Sequence, residues 1–530
     1  MSREFRIKGG EKILAIIKSF SATQKVIFGL LVIVSGMSAL ALAWNVNKSF
    51  LMPVPAHGGR LVEGVVGLPR SINPVLAFTD IDRDLSSLIY AGLMKYDDGT
   101  LIPDLAKKYV VSEDGLTYTF TLKDDLRWHD GIPLTADDIE FTMQKIQDNV
   151  IKSPRRADWA NTTFKKVSST EVQFILKQPY TPFLANTTLG ILPKHIWSKV
   201  SSDQFIYCQY NIEPIGSGPY KLENIQRDSG GIPLYYSLSS FSRYHEGEPF
   251  ISNLLVYFYP NEKTLLEAYN AGIVESIARI SASAAAQIAS TSISSAILHT
   301  PLPRIFGIFF NQNQAPIFTN SDVRKALDMA TDKRRIVREV LYGYGVVADS
   351  PLPSQNSENK IAPQNIEGAK ALLAKKNSIL EFSIATADSP DLKQAAEIIK
   401  QDWEKIGAKV TIKVFEYGDL YQNVIATRKY DALLFGESIG KDLDLYAFWH
   451  SSQRNSPGLN VAMYVNSKAD KLLEDARVAS DNKDKAKIYG QFEKIIQEDV
   501  PAIFLYSPDF IYIIPDKLEG ISLGNITAPT

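Results

Sequence analysis

A single cysteine, Cys208, stands in 530 residues. No disulfide within the chain is possible, and no paired-cysteine metal or redox site exists. No cysteine follows the early apolar run, which excludes lipid attachment there. Histidine is scarce too: residues 57, 129, 195, 245, 299 and 450 are the six, and none shows a metal-ligand spacing such as HExxH. The spacings therefore call for no metal or cofactor. Net charge is only -2, with 22% charged residues. That balance excludes polycation behaviour, so nucleic acid is not an expected partner.

What is present is an ordinary globular composition, 45% hydrophobic, long enough for two or three domains with ample core. Charge gathers at one end. Residues 1–25 carry Arg3, Arg6, Lys8, Lys12, Lys18 and Lys25 against Glu4 and Glu11, so this basic segment is read as cytoplasmic. Residues 26–44 then run without a charge. As a helix they span roughly 28 Å, enough to cross a bilayer. The basic flank orients the N-terminus inward and the rest outward. Ala41-Leu42-Ala43 resembles a signal-peptide cleavage site. The long basic segment and long apolar run favour an uncleaved, single-pass anchor in the cell membrane, with the globular body periplasmic or extracellular. Residues 45–59, with two prolines and two glycines, read as a linker.

Residues 111–146 form the best-patterned stretch. Leu116, Tyr118, Phe120 and Leu122 alternate with Thr117, Thr119, Thr121 and Lys123, the period of a half-buried strand. Asp124-Asp125 turns the chain into a predicted short return strand over 126–129, and Asp130-Gly131 turns it again. Thr135 with Asp138 predicts a capped helix continuing through Ile139, Thr142, Met143 and Ile146. Further on, 80–93 reads as a helix, 281–295 shows no strong pattern, and 322–341 reads as one amphipathic helix. The last third alternates strand and helix: strands near 380–385, 410–414 and 430–435, helices over 392–406, 468–479 and 483–498, and a final apolar run over 502–506. This rhythm predicts mixed α/β sheets.

Two patterns invite a catalytic reading. Gly436-Glu437-Ser438-Ile439-Gly440 matches G-x-S-x-G after a predicted strand. No helix pattern follows, and His450, twelve residues on, is the one histidine left for a triad. His129-Asp130 has the form of a base and its orienter, but it falls at a turn that already explains the aspartate. Neither pattern outweighs its structural reading, and no catalytic residue is expected. Glu437, Asp442 and Asp444, beside Tyr446, Phe448 and Trp449, suit an amine-bearing ligand; a solvated loop beside core aromatics explains them equally.

The chain beyond Gly59 resembles the family 5 extracellular solute-binding proteins, the oligopeptide-, dipeptide- and nickel-binding components of ABC importers. The resemblance rests on segments in a fixed order: Ile72-Asn73-Pro74 with Tyr90-Ala91-Gly92-Leu93, then Pro103-Asp104-Leu105-Ala106, then Asp114 to Phe120 continuing through Trp128 to Asp138. Pro214-Ile215-Gly216-Ser217-Gly218-Pro219-Tyr220 follows, then Phe310-Asn311 with Val323-Arg324-Lys325-Ala326-Leu327, and Tyr430-Asp431-Ala432.

The resemblance implies a two-lobed periplasmic-binding-protein (Venus-flytrap) α/β fold with an extra insert domain, preceded by the transmembrane helix. The first lobe would take 60–95, 205–308 and 498–530, the insert 96–204, and the second lobe 309–497. It implies a non-catalytic protein that captures peptides by cleft closure and delivers them, as a monomer, to ABC permease subunits. Binding of a metal chelate or oligosaccharide, or a receptor on the same fold, are the alternatives. By analogy with peptide binders, Phe78, Thr79, Asp80 and Ile81 would line one side of the cleft, and Glu437, Asp442 and Asp444 the other. The tryptophan that such binders carry after the glycine is replaced by Glu437.

Overall fold

The computed structural model describes residues 16–50, 56–291, 295–352, 361–374, 380–439, 444–479 and 482–523. The chain divides into two units, Met1–His57 and Gly58–Thr530. Helix α1, Ala22–Phe50, belongs to the first. Its stretch Ala22–Val46 is long and apolar enough to cross a membrane, a property that anchors and signal sequences share. The helix also takes up residues 45–50, which were expected to be linker. No proline or glycine interrupts the chain between Gly36 and Pro53, so nothing stops it earlier.

The second unit is built on a twelve-stranded mixed sheet. Its strands are β1 (Gly58–Val66), and, after a separate smaller sheet of β2 (Ala106–Val111), β3 (Thr117–Leu122), β4 (Thr162–Lys166) and β5 (Glu171–Leu176), the strands β6 (Tyr220–Arg227), β7 (Pro233–Ser240), β8 (Ile251–Tyr259), β9 (Ser276–Ala278), β10 (Ser295–Pro301), β11 (Arg304–Phe310), β12 (Gly345–Val347), β13 (Glu381–Ala387), β14 (Lys409–Phe415), β15 (Ala432–Ser438) and β16 (Ala502–Pro515). The path runs β14-β13-β15-β11-β16-β9-β1-β8-β7-β6, with β10 and β12 also on β16. The 14-residue β16 joins the two halves. Its first part pairs with β11, from Phe306↔Tyr506 to Phe309↔Ala502. Its second part pairs with β10, from Ser295↔Pro515 to Pro301↔Asp509. The expected apolar run covers only 502–506, and the polar Ser507 and Asp509 with Pro508 between them interrupt it. Those residues instead bridge the two halves, with Pro508 opposite Gly345 of β12.

Two hydrophobic cores serve this layout. One gathers Phe309, Phe310, Phe318, Trp403 and Trp449 around β11, β13 and β15. The other joins Tyr90, Phe120, Trp128, Phe174 and Tyr236 from the small sheet and the flanking first strands. Strand β3 alternates as expected, with Tyr118, Phe120 and Leu122 buried. Its neighbours are β2 and β5. The predicted return strand over 126–129 is reduced to one isolated bridge, Arg127 to Pro133. Trp128 is fully buried there, so packing rather than ladder pairing holds the segment.

Helix α2, Asp80–Ile89, begins with a capping box: Asp82 N donates to Thr79 Oγ1 at 3.2 Å, and Thr79 N donates to Asp82 Oδ2 at 3.1 Å. Helix α3, Ala136–Gln147, repeats the device with Thr135 and Asp138, as the sequence predicts. Thr135→Ala is expected to cost about 1 kcal/mol in urea unfolding; an unchanged unfolding free energy would show that the cap contributes nothing.

Two other expectations change. Residues 322–341 form two helices, α4 (Ser321–Ala330) and α5 (Lys333–Val340). Thr331 Oγ1 donates back to Leu327 O at 2.7 Å, and Asp332 Oδ1 accepts from Arg335 N at 2.9 Å, starting a new helix. Residues 281–295, without strong pattern, contain the helix Ala282–Thr291, whose Ala284, Ala285 and Ile288 are buried. Helices α6 (Pro390–Glu404), α7 (Ser467–Val478) and α8 (Asn482–Asp499) lie close to where the periodicity puts them.

Candidate functional site

Helix α2 presents Arg83, Ser86 and Ser87 along one face at i, i+3 and i+4, and its extended C-cap residue, Tyr90, follows. These four line a cavity of about 380 Å³. Its opposite wall comes from the segment that carries the small sheet: Arg155, Asp158, Trp159, Asn186 and Leu189. Close backbone approach brings the walls together. Leu93 N donates to Thr187 O at 2.9 Å, and Ile191 N donates to Ala91 O at 3.0 Å. Gly92 permits this, since a Cβ there would stand 2.5 Å from Thr188 O.

The cavity is polar and imperfectly satisfied. The Tyr90 hydroxyl and Ser86 Oγ are buried, and neither has a hydrogen-bond partner among the described residues. Arg155 Nη1 comes no nearer than 4.0 Å to Asp158 Oδ2, too far for a hydrogen bond. Burial pushes the Asp158 carboxyl above the usual carboxylate range, and the Arg155 charge opposes the shift. Arg83 is better held, paired with Asp80 and donating to Phe78 O at 2.8 Å.

The residues expected to line the cleft fare differently. Phe78 is exposed, with 69% of its surface accessible. Thr79 is the N-cap of α2, Asp80 is the partner of Arg83, and Ile81 is buried in the core. Asp442 lies outside the described residues. Asp444 is engaged by Arg477: Nε donates to Oδ2 at 2.9 Å and Nη2 donates to Oδ2 at 2.7 Å. The same guanidinium covers the Tyr446 ring at 3.8 Å and lies 5.8 Å from that of Tyr180. Thr181 N donates to Arg477 O at 3.3 Å, and Thr181 Oγ1 donates to Ala479 O at 3.0 Å. Asp444 is thus tied into a junction between α7 and residues 180–181.

Glu437 sits on β15 opposite Ile305 and is buried. Burial drives its carboxyl well above the usual range, opposed only weakly by the Trp449 indole. Among the described residues, neither Glu437 Oε1 nor Trp449 Nε1 completes a hydrogen bond. The strand that carries Glu437 packs in one core, and Ile81 packs in the other.

The other candidates take structural roles. Ser438 lies within β15, opposite Arg304, rather than on a strand-to-helix turn; Gly440 is outside the described residues. His450 Nδ1 accepts from Ser452 N at 3.2 Å. His129 Nδ1 accepts from Gly216 N at 3.2 Å, while its Nε2 donates to Gly218 O at 3.1 Å. Burial lowers its pKa to about 4, so the imidazole stays neutral and pins the glycine loop against the end of α2. A Cβ at Gly216 would lie 1.9 Å from Ile89 O, which explains the glycine. Asp130 pairs instead with His195 at 2.8 Å. Asp104, His245 and Glu246 converge within 4.8 Å, a grouping that linear spacing could not reveal. Their bonds are already internal: Asp104 to His245 at 2.6 Å, Glu246 to Lys95 and, at 3.3 Å, to Lys123.

The fold has counterparts among known proteins. Residues 100–460, more than half of the chain, match the model of the bacterial extracellular solute-binding proteins, family 5. The chain belongs to that family. It is 29% identical over 495 residues to the oligopeptide-binding protein AppA of Bacillus subtilis, covering 88% of this chain and 89% of that protein. It is 26% identical over 493 residues to the dipeptide-binding protein of Escherichia coli, covering 86% and 90%. The structure of AppA in complex with a nonapeptide superposes with a TM-score of 0.68, covering 89% of this chain and 97% of that one. Of the cavity residues, Tyr90 stood in a family marker, and Arg83, Ser86, Arg155 and Asp158 were not singled out from sequence. The one signal that could have found them is the polar stripe at helical spacing on α2.

Proposed function

We propose that this chain is the membrane-tethered, peptide-capturing component of an ABC importer and catalyses no reaction itself. The observation that carries the reading is the match to an oligopeptide-binding protein along nearly the whole of both chains. In this reading, residues 60–95, 205–308 and 498–530 form a first lobe, 96–204 an insert, and 309–497 a second lobe. Supporting that division, β16 and the β10–β11 segment are the runs that pass from one half of the sheet to the other. Rotation about them would open a cleft onto α2. The Arg477–Asp444 pair, with Tyr180 and Thr181, is placed to hold insert and second lobe together when closed.

Closure acts as a population shift: a ligand that touches both lobes favours the closed state by its differential affinity. Phe78, exposed, and Asp80, half-buried against Arg83, are the ligand-facing members of the expected set in this reading of capture. Helix α1 stays uncleaved, with the basic segment in the cytoplasm and the monomeric body outside, where permease subunits would meet it. Short peptides from a broad library are expected to raise the thermal unfolding midpoint of the purified chain by several degrees. A library without a single stabilising peptide would end the peptide reading.

A further inference from the structure

We propose that the contact between residues 180–181 and the end of α7 is a latch that closes the empty chain, so that closure does not wait on a ligand. The proposal rests on the division into lobes given above, with residues 180–181 in the insert and α7 in the second lobe. It adds what holds the closed form before any peptide arrives.

The latch joins segments 298 positions apart, and neither β16 nor the β10–β11 segment takes part in it. Helix α7 ends at Val478, and the last carbonyls of a helix have no partner within it. Two carbonyls at this end are supplied from the insert: Arg477 O accepts from Thr181 N at 3.3 Å, and Ala479 O accepts from Thr181 Oγ1 at 3.0 Å. Parting of the two bodies would return both acceptors to water.

The Arg477 side chain is the second component. Asp444 fixes its guanidinium through Nε at 2.9 Å and Nη2 at 2.7 Å, which makes Asp444 a positioning residue. Held so, the cation lies 3.8 Å from the centre of the Tyr446 ring, and that ring stacks on His450 with centroids 4.1 Å apart. Tyr180 reaches the same cation from the insert, at 5.8 Å, within the range of cation–π attraction. Burial works against the Arg477 charge, yet Asp444 and the two tyrosines outweigh it and hold the group above its ordinary value. The second lobe has thus ordered the arginine in advance, and docking of Tyr180 costs no further ordering of that side chain. Every partner named is a protein group, so the latch needs no ligand. A chain that is partly closed while empty admits a peptide more slowly and releases it more slowly.

The test measures distances by double electron–electron resonance on the full chain in detergent, without peptide. Spin labels are placed at Lys165→Cys on β4 and Lys468→Cys on α7, both exposed, with Cys208→Ser in the background. With the latch intact, the major population is expected at short separation. Arg477→Met together with Thr181→Val is expected to move the majority to longer separations, and Asp444→Asn to move it partway. A single long-separation population with the latch intact overturns the proposal, as does a distribution that the double variant leaves unchanged. Should the labelled background fail to fold, hydrogen exchange of the unlabelled full chain decides. The Thr181 amide is expected to exchange about tenfold faster in Arg477→Met than in wild type, with the amides of β3 and β5 unchanged. Equal rates at Thr181, or an acceleration that β3 and β5 share, overturn it. Neither readout uses a peptide, so a library without a stabilising peptide would end the peptide reading and leave the latch to be decided by these distances and rates.

Discussion

Arg324→Ala is expected to cost about 3–5 kcal/mol of stability, among the largest losses available to a single substitution in this chain. Arg324 lies on α4 and is 6% exposed. Its guanidinium donates from Nε to Val500 O at 2.9 Å and to Asp499 O at 3.2 Å, and from Nη1 to Phe318 O. Asp499 closes α8, whose last carbonyls have no partner within the helix. One side chain thus satisfies the end of α8, the start of β16 and the turn before α4. Removing it strands those carbonyls in the interior, at roughly 1–3 kcal/mol for each one left unsatisfied. Arg324→Lys should recover less than half of the loss, because a single ammonium cannot reproduce a planar fork. Urea unfolding of wild type and both variants reads the difference. A loss below 1 kcal/mol for the alanine variant would show that solvent reaches these carbonyls.

Arg324 also marks the limit of what the residues disclosed. The segment Val323 to Leu327 was legible as a family marker and as an amphipathic helix, yet neither pattern gave the arginine a role in the interior. Two of its three acceptors, Asp499 O and Val500 O, lie more than 170 positions away, and no local pattern reports them. The same division holds elsewhere. The capping box at Thr135 and the alternation of β3 are local, and both were readable. The length of β16 was not, because Ser507-Pro508-Asp509 carries turn chemistry and only its partners β10 and β12 make it a strand. The break at Thr331 was missed because one apolar stripe continues across both helices, while the stop comes from two side-chain hydrogen bonds. At the site, the analogy that named Thr79 and Asp444 reported neither the capping role of the first nor the pairing of the second with Arg477, thirty-three residues on. The cavity donors come from two segments about seventy residues apart, joined through the backbone approach at Gly92. The polar face of α2 was visible; what it faced was not.

Glu437→Gln is expected to abolish a pH dependence of stability that wild type carries. The carboxyl is buried on β15 beside Trp449, and burial raises its pKa well above the ordinary 4.5. In the unfolded chain it ionises near that ordinary value. Between the two values the folded state keeps a proton that the unfolded state has released. Stability must then fall as pH rises through that window, by about 1.4 kcal/mol per pH unit, and level off above the folded value. Glutamine has nearly the same shape, stays neutral and does not titrate. The other carboxyls raised by burial, Glu63 and Glu493 among them, are common to both proteins and cancel in the difference. The variant should therefore match wild type near pH 4.5 and exceed it by a margin that widens with pH until the folded value is passed. Urea unfolding at half-unit steps from pH 5 to pH 8 measures the margin. A constant difference across that range would mean that Glu437 is ionised in the folded chain, with a compensating cation beside it, and the account of a neutral buried acid would be wrong.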